Sequence, residues 1–153
     1  MNNLILVSII FLSQIAYGQS DEIKALALKN GFKPSDRIVK AIVNASKRYH
    51  IDALELTAIG ILETGLGRYA KDRLNTNGTI DHGIFQINTV NESKCVEYNL
   101  SSVEGSSYCA AKLLSRIKKH HVSDYLGRYH SKTPSKKAKY FEKITQVLAK
   151  NAE

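Results

Sequence analysis

Cysteine is scarce in this sequence: Cys95 and Cys109 are the only two in 153 residues. With no Cys-x-x-Cys spacing and no zinc-type Cys/His cluster, a metal or redox role is not expected. Two readings stand, a single disulfide or two buried thiols. No Gly-rich loop ending in Gly-Lys is present to cradle a phosphate, and no tandem aromatic platform to stack bases, so nucleic acid is not an expected partner. Internal repeats and low-complexity segments are absent as well. Acidic residues are in deficit, 14 Asp and Glu against 22 Lys and Arg, giving a net charge of +8 and a pI near 9.5. Such a surplus attracts polyanions, and it is also what a well-solvated lysine surface looks like.

Charge is missing altogether from the side chains of residues 1–18, which run apolar from Leu4 to Phe11 and end in Ala16-Tyr17-Gly18. A short apolar run before a small-x-small site predicts a secretory signal peptide over 1–18, although no Lys or Arg stands near the start. The run is shorter than the roughly 20 residues of a membrane span and no Cys follows it, so no stable anchor is expected. Residues 19–153 then form one domain, large enough to bury a core and carrying the whole net charge. An exported, monomeric protein, periplasmic or extracellular, is the expectation. In such a place the polyanions are teichoic acids, lipopolysaccharide or peptidoglycan carboxylates, and an even pair of cysteines favours the disulfide.

What is present is helical periodicity. Asp21 to Asn30 reads as a short helix stopped by Gly31, and Ser35 can cap a second with Ile38, Ala41, Ile42, Ala45 and Tyr49 on one face. Asp52 and Glu55 make a capping-box-like start to a third helix. Ser101 with Glu104 predicts another, its inner face Val103, Ala110, Leu113, Leu114 and Ile117. Ser135 predicts a last one with Ala138, Phe141, Ile144 and Leu148 inward. His120 and His121 are adjacent and diverge on a helix, which argues against a shared metal. Tyr125, Tyr129, His130 and Ser131 read as an aromatic, polar connection, either a surface loop or a ligand-contacting wall.

The most informative stretch is the helix from Leu56 to Glu63. Leu56, Ile59 and Gly60 share the face that Glu63 ends, and a carboxylate against aliphatic carbon loses solvation and holds its proton toward neutral pH, as a general acid must. The plainer reading is a glutamate pointing to water. Gly65 and Gly67 stop the helix, Asn77-Gly78 signals a tight turn, and Ile84-Phe85-Gln86-Ile87 reads as a returning strand with Gln86 and Asn88 as amide side chains facing the helix end.

Glu63-Thr64, the segment Gly83-Ile84-Phe85-Gln86-Ile87-Asn88, the run Asn75 to Asp81 and the later Tyr129-His130-Ser131 with Tyr140 together resemble the motifs of lytic transglycosylases of the soluble-lytic-transglycosylase type, within the lysozyme-like superfamily. The small secretion-associated members are the most similar. Many members have Asn where this chain has His130.

The resemblance implies a mainly α (α+β) lysozyme-like domain of about five helices with a short β-element flanking a cleft. It implies cleavage of the MurNAc-β-1,4-GlcNAc bond of peptidoglycan glycan strands, without cofactor or metal. Glu63 would be the catalytic acid and then base, with Thr64, Gly83, Phe85, Gln86, Asn88, Tyr129, His130, Ser131 and Tyr140 contacting substrate. A cell-envelope secretion or conjugation assembly is a further implied partner. Two other readings stay open: a muramidase that hydrolyses the bond with Glu63 and Asp81 as its two carboxylates, and a non-catalytic cationic wall-binding protein.

Overall fold

Six α-helices and a small sheet account for most of the described residues, 18–152, of a computed structural model. The predicted signal peptide lies outside them save for residue 18. Helix α1 covers residues 18–29, α2 Asp36–Tyr49 and α3 Ala53–Thr64. Strands β1 (Arg73–Leu74), β2 (Ile80–His82) and β3 (Ile87–Asn88) follow, then α4 (Val103–His120), α5 (Tyr125–His130) and α6 (Pro134–Ala149). The strands form one antiparallel sheet in the order β1-β2-β3. The mainly helical α+β expectation therefore holds.

Helix α3 is apolar on nearly every side, and a helix of that kind belongs inside. Leu56, Thr57, Ala58 and Ile59 are fully buried, and α1, α2, α4 and α6 contribute Ile23, Ile42, Leu114 and Ile144 to the same core. Each fully buried aliphatic side chain contributes on the order of 1.5–3 kcal/mol. Asp52 starts α3 as predicted, its carboxylate accepting from Leu54 N and Glu55 N at 2.8 and 3.0 Å. Glu55 does not complete a capping box. It accepts from the Tyr125 hydroxyl and lies 3.9 Å from Lys118 Nζ, which ties α3 to α4 and α5. The helix ends at Gly65, whose φ of 60° is the left-handed conformation that leaves its N–H free to bond back to Gly60 O and Ile61 O. At Gly60 a Cβ would stand 2.9 Å from Leu66 and 3.2 Å from the Phe85 ring, so the bare backbone lets the β-region close onto α3.

Several local expectations are corrected. The cap of α4 is Ser102 rather than Ser101, and Glu104 turns outward to a two-bond pair with Arg37 at 2.7 and 2.8 Å instead of capping. Helix α6 begins with Pro134 at its first position, where the missing N–H costs nothing, so Ser135 caps nothing. Its buried stripe is Tyr140, Ile144 and Val147. Ala138 and Phe141 are exposed and Leu148 is only partly buried. Both stripes have helical spacing, and the one with the tyrosine faces inward because its hydroxyl finds a partner on α3. The stretch Ile84 to Gln86 is a turn leading into the two-residue β3, with Gln86 at φ 47°. The supposed connection at Tyr125 to His130 is α5, held so close to α6 that a Cβ at Gly127 would meet Lys137 O at 2.6 Å.

Cys95 and Cys109 are joined in a disulfide. It fastens the segment after β3 to the interior face of α4, behind the turn that carries Phe85. Among the described residues no helix is long and apolar enough to cross a membrane.

Candidate active site

Glu63 stands on the last turn of α3, where the helix has run out of core and faces α5, α6 and the sheet. Its side chain is 16% exposed, enough to meet a ligand and too little to be well solvated. Burial pushes its pKa above the ordinary 4.5, and the nearby Asp81 charge pushes the same way. The Tyr140 hydrogen bond and the Arg73 charge pull it back without cancelling the rise. Tyr140 donates to Glu63 Oε1 at 2.6 Å. The hydroxyl is itself held far above its ordinary range by burial and by Glu63, so it remains a donor.

His130, at the end of α5, stacks flat on Tyr140 with ring centroids 4.6 Å apart and planes 3° from parallel. Its Nδ1 is 4.0 Å from Glu63 Oε1. Partial burial first, then the charges of Lys143, Lys136 and Arg73, depress its pKa below 6.5, so the imidazole is neutral near pH 7 and the contact is not an ion pair. Tyr129 donates to the Phe85 carbonyl at 3.1 Å and fixes α5 against the turn.

Asp81, on β2, is nearly buried and fully engaged. Arg73 holds Oδ2 at 2.9 Å and Asn88 Nδ2 holds Oδ1 at 2.7 Å. Burial pushes its pKa up, but hydrogen bonds from Asn75, Asn88 and Arg73 outweigh that and hold it below 3.8. Thus a carboxylate with a raised pKa and one with a lowered pKa share the site, so their titrations are pushed apart.

Not every expected residue faces this site. Thr64 is buried; its hydroxyl donates to Ile84 O at 2.7 Å and accepts from Gly67 N at 3.0 Å, so it latches the helix end to the turn instead of touching a ligand. The Phe85 ring is wholly buried against Gly60 and leaves only its carbonyl to the site, so it walls no cleft. Gly83 is buried, with φ 68° and no room for a Cβ against Leu100 O. The Gln86 amide donates to Lys71 O and Gly83 O at 3.2 and 3.0 Å. Asn88 braces Asp81 and caps the short 3₁₀ helix Thr89–Lys94, and Ser131 Oγ accepts from Thr133 N. What meets at Glu63 is Tyr140 and His130, with Arg73 and Asp81 acting through their charge. Arg73 was not expected. It pairs with Asp81 across the β1–β2 hairpin, and the two are equidistant from Asn77 of the predicted turn, which is the signal that would have found it.

Two open hollows lie elsewhere. One, of about 430 Å³, is lined by His82, Glu92, Tyr98 and their neighbours, and the other, of about 400 Å³, by Asp36, Arg37, Lys40, Glu104 and others. Asp36 and Glu104 are paired with Lys24 and Arg37 and held below their ordinary pKa values, so neither retains a proton to donate. Among the described residues no group of three or more His, Cys, Asp or Glu side chains is arranged to hold a metal ion. No family model matches the chain, and neither does any curated protein or solved structure.

Proposed function

We propose that this chain is a peptidoglycan lytic transglycosylase in which Glu63 serves first as acid and then as base. The observation that carries the reading is Glu63 at the end of α3, 16% exposed and with its pKa raised by burial, with the Tyr140 hydroxyl 2.6 Å from one of its oxygens. Its protonated carboxyl hands the proton to the glycosidic oxygen as the C1–O bond breaks. Tyr140 then stabilises the carboxylate left behind. Positive charge develops at the muramic C1, and the ionised Asp81 lowers its cost through space. The C6 hydroxyl of the same sugar attacks C1 from within, and Glu63 takes the proton that the hydroxyl releases. One 1,6-anhydro ring forms, one hydroxyl appears on the departing sugar, and the enzyme ends as it began.

A hydrolase would need Asp81 as nucleophile or as base toward water. Both of its oxygens are already bound, by Arg73 and Asn88, which favours the internal hydroxyl over that route. The disulfide suits work in an oxidising compartment outside the cytoplasm. Mass analysis of muropeptides released from purified peptidoglycan tests the reading. Ends lighter by one water and resistant to borohydride support it; no released material, or reducing ends throughout, would refute it.

A further inference from the structure

The face of α6 that carries Tyr140 also carries Lys136, one turn before it, and Lys143, one turn after it, since residues three and four apart share a helix face. Tyr140 Oη touches Glu63, so helical spacing places both lysines on the side of α6 that adjoins that carboxylate. Both are exposed. Lys137, which points elsewhere, is paired with Asp124, whereas neither Lys136 nor Lys143 has a carboxylate within ion-pair distance among the described residues. Their charge is felt inside the site, at the His130 imidazole that stacks on Tyr140. Around them the charges are balanced: Arg73 and Asp81 neutralise each other at 2.9 Å, and the imidazole is neutral. Among the described residues the opening is therefore left with two exposed cations that no carboxylate pairs, beside the largely buried Glu63.

From this we infer that Lys136 and Lys143 select glycan strands whose sugars bear carboxylates, holding one such group at the mouth of the Glu63 site and discriminating against neutral glycans of the same backbone. The inference rests on the glycan-cleaving reading above and adds the residues that decide between charged and neutral strands. A cation at the solvent edge attracts a carboxylate by an amount that two flexible side chains and salt keep modest, so each lysine should account for about two- to five-fold in affinity. The attraction should fade as salt rises past about 0.15 M, where the Debye length is about 8 Å.

The test measures binding rather than turnover, with Glu63→Gln as the background so that no bond is cut. The probes are a GlcNAc-MurNAc tetrasaccharide with free lactyl carboxylates and a neutral N-acetylglucosamine tetrasaccharide. The Lys136→Gln/Lys143→Gln pair should weaken binding of the charged sugar by about five- to twenty-fold at low salt, and leave the neutral one unchanged. Lys47→Gln/Lys119→Gln, which removes the same net charge from α2 and α4, should change neither. Equal loss for both sugars, equal loss in the control pair, no loss at all, or no measurable binding of the charged sugar would each overturn the inference. Cleavage by the unaltered protein is scored separately: its absence refutes the proposed activity, while the binding difference decides the lysines.

Discussion

The Tyr140 hydroxyl and Glu63 Oε1 meet at 2.6 Å across 77 residues of sequence. The bond joins the last helix to the central one at the point where the core gives out. It opposes burial at Glu63: burial favours the protonated acid, whereas the hydroxyl favours the carboxylate. On the proposed mechanism, in which Glu63 gives up a proton and takes it back, both influences would serve it.

Tyr140→Phe keeps the ring on His130 and deletes the donor. The ionised form of Glu63 loses support, so its pKa rises further and the alkaline limb of the kcat/KM profile moves to higher pH. A hydrogen bond to a charged group contributes about 1.5–3 kcal/mol, so kcat should fall by about ten- to a hundred-fold. A pH–rate series on both proteins checks the two effects together. An unmoved limb would mean that Glu63 is not the titrating acid.

On the proposed mechanism, Glu63→Gln should abolish cleavage, by about 10⁴-fold or more, because one group would serve both proton transfers. It should also stabilise the fold at neutral pH. The folded-state pKa of Glu63 is raised above its unfolded value, so the native state binds the extra proton. Stability from that proton is whole below the unfolded pKa of about 4.5 and drains away as pH rises through the folded value. Gln does not titrate and escapes the loss. Thermal melts of the two proteins should nearly coincide at about pH 4 and separate in favour of the variant by pH 7.

The disulfide closes a separation of 14 residues between Cys95 and Cys109. A loop of that size contributes about 3 kcal/mol in the chain-entropy account, and removing a native bridge from a small exported domain costs about 2–5 kcal/mol. Cys95→Ser/Cys109→Ser should therefore lower Tm by roughly 5–15 °C. Thermal unfolding of the oxidised protein and the variant measures it. A midpoint unchanged within error would mean that the bridge does not brace the native state.

Much of this architecture was legible because the core helix announces itself. Leu56, Ile59 and Gly60 beneath Glu63, with Gly65 and Gly67 after it, specify a buried helix with a carboxyl at its end, and the structure has both. The Asn77-Gly78 turn and the Asp52 cap were legible for the same reason, since each depends on a few adjacent residues. What sequence did not reveal is set by packing between distant elements. Thr64 and Phe85 look like site residues by position, yet close approach at Gly60 buries the Phe85 ring and the turn takes up the Thr64 hydroxyl. The face of α6 was ambiguous between two stripes until a partner for Tyr140 was known. Ser101 and Ser102 compete as caps for one helix start, and spacing alone does not choose between them.

Acid should loosen the protein at its surface clamps before its core. Hydrogen bonds from Lys137 and Arg128 hold Asp124 at about 2, and Arg37 holds Glu104 at about 2. Both folded values lie below the unfolded ones, so the stability these carboxylates contribute is present above about pH 4–5 and is lost as pH falls toward 2. Asp124 ties α5 to α6, so His130 and Tyr140 should lose their stacking late in that window, as pH nears 2. Histidine ring NMR signals followed from about pH 5 to about pH 1.5 should show it, and Asp124→Asn should show the loosened spectrum already at about pH 5.

The last prediction separates the two ways of breaking the bond. If water attacked with Asp81 as partner, Asp81→Asn would be nearly as damaging as Glu63→Gln, and the released sugars would have reducing ends. The structure gives Asp81 other work: Arg73 and Asn88 occupy its oxygens, and its charge raises the pKa of Glu63. Removing that charge should lower the Glu63 pKa and move the alkaline limb to lower pH, opposite to Tyr140→Phe. Activity at the optimum should fall by less than the 10²-fold expected of a lost acid–base group. The products should still end in 1,6-anhydro-muramic acid, because the internal hydroxyl and Glu63 remain. Mass analysis of muropeptides from the variant decides it, and a switch to reducing ends with near-total loss of rate would assign Asp81 to the chemistry itself.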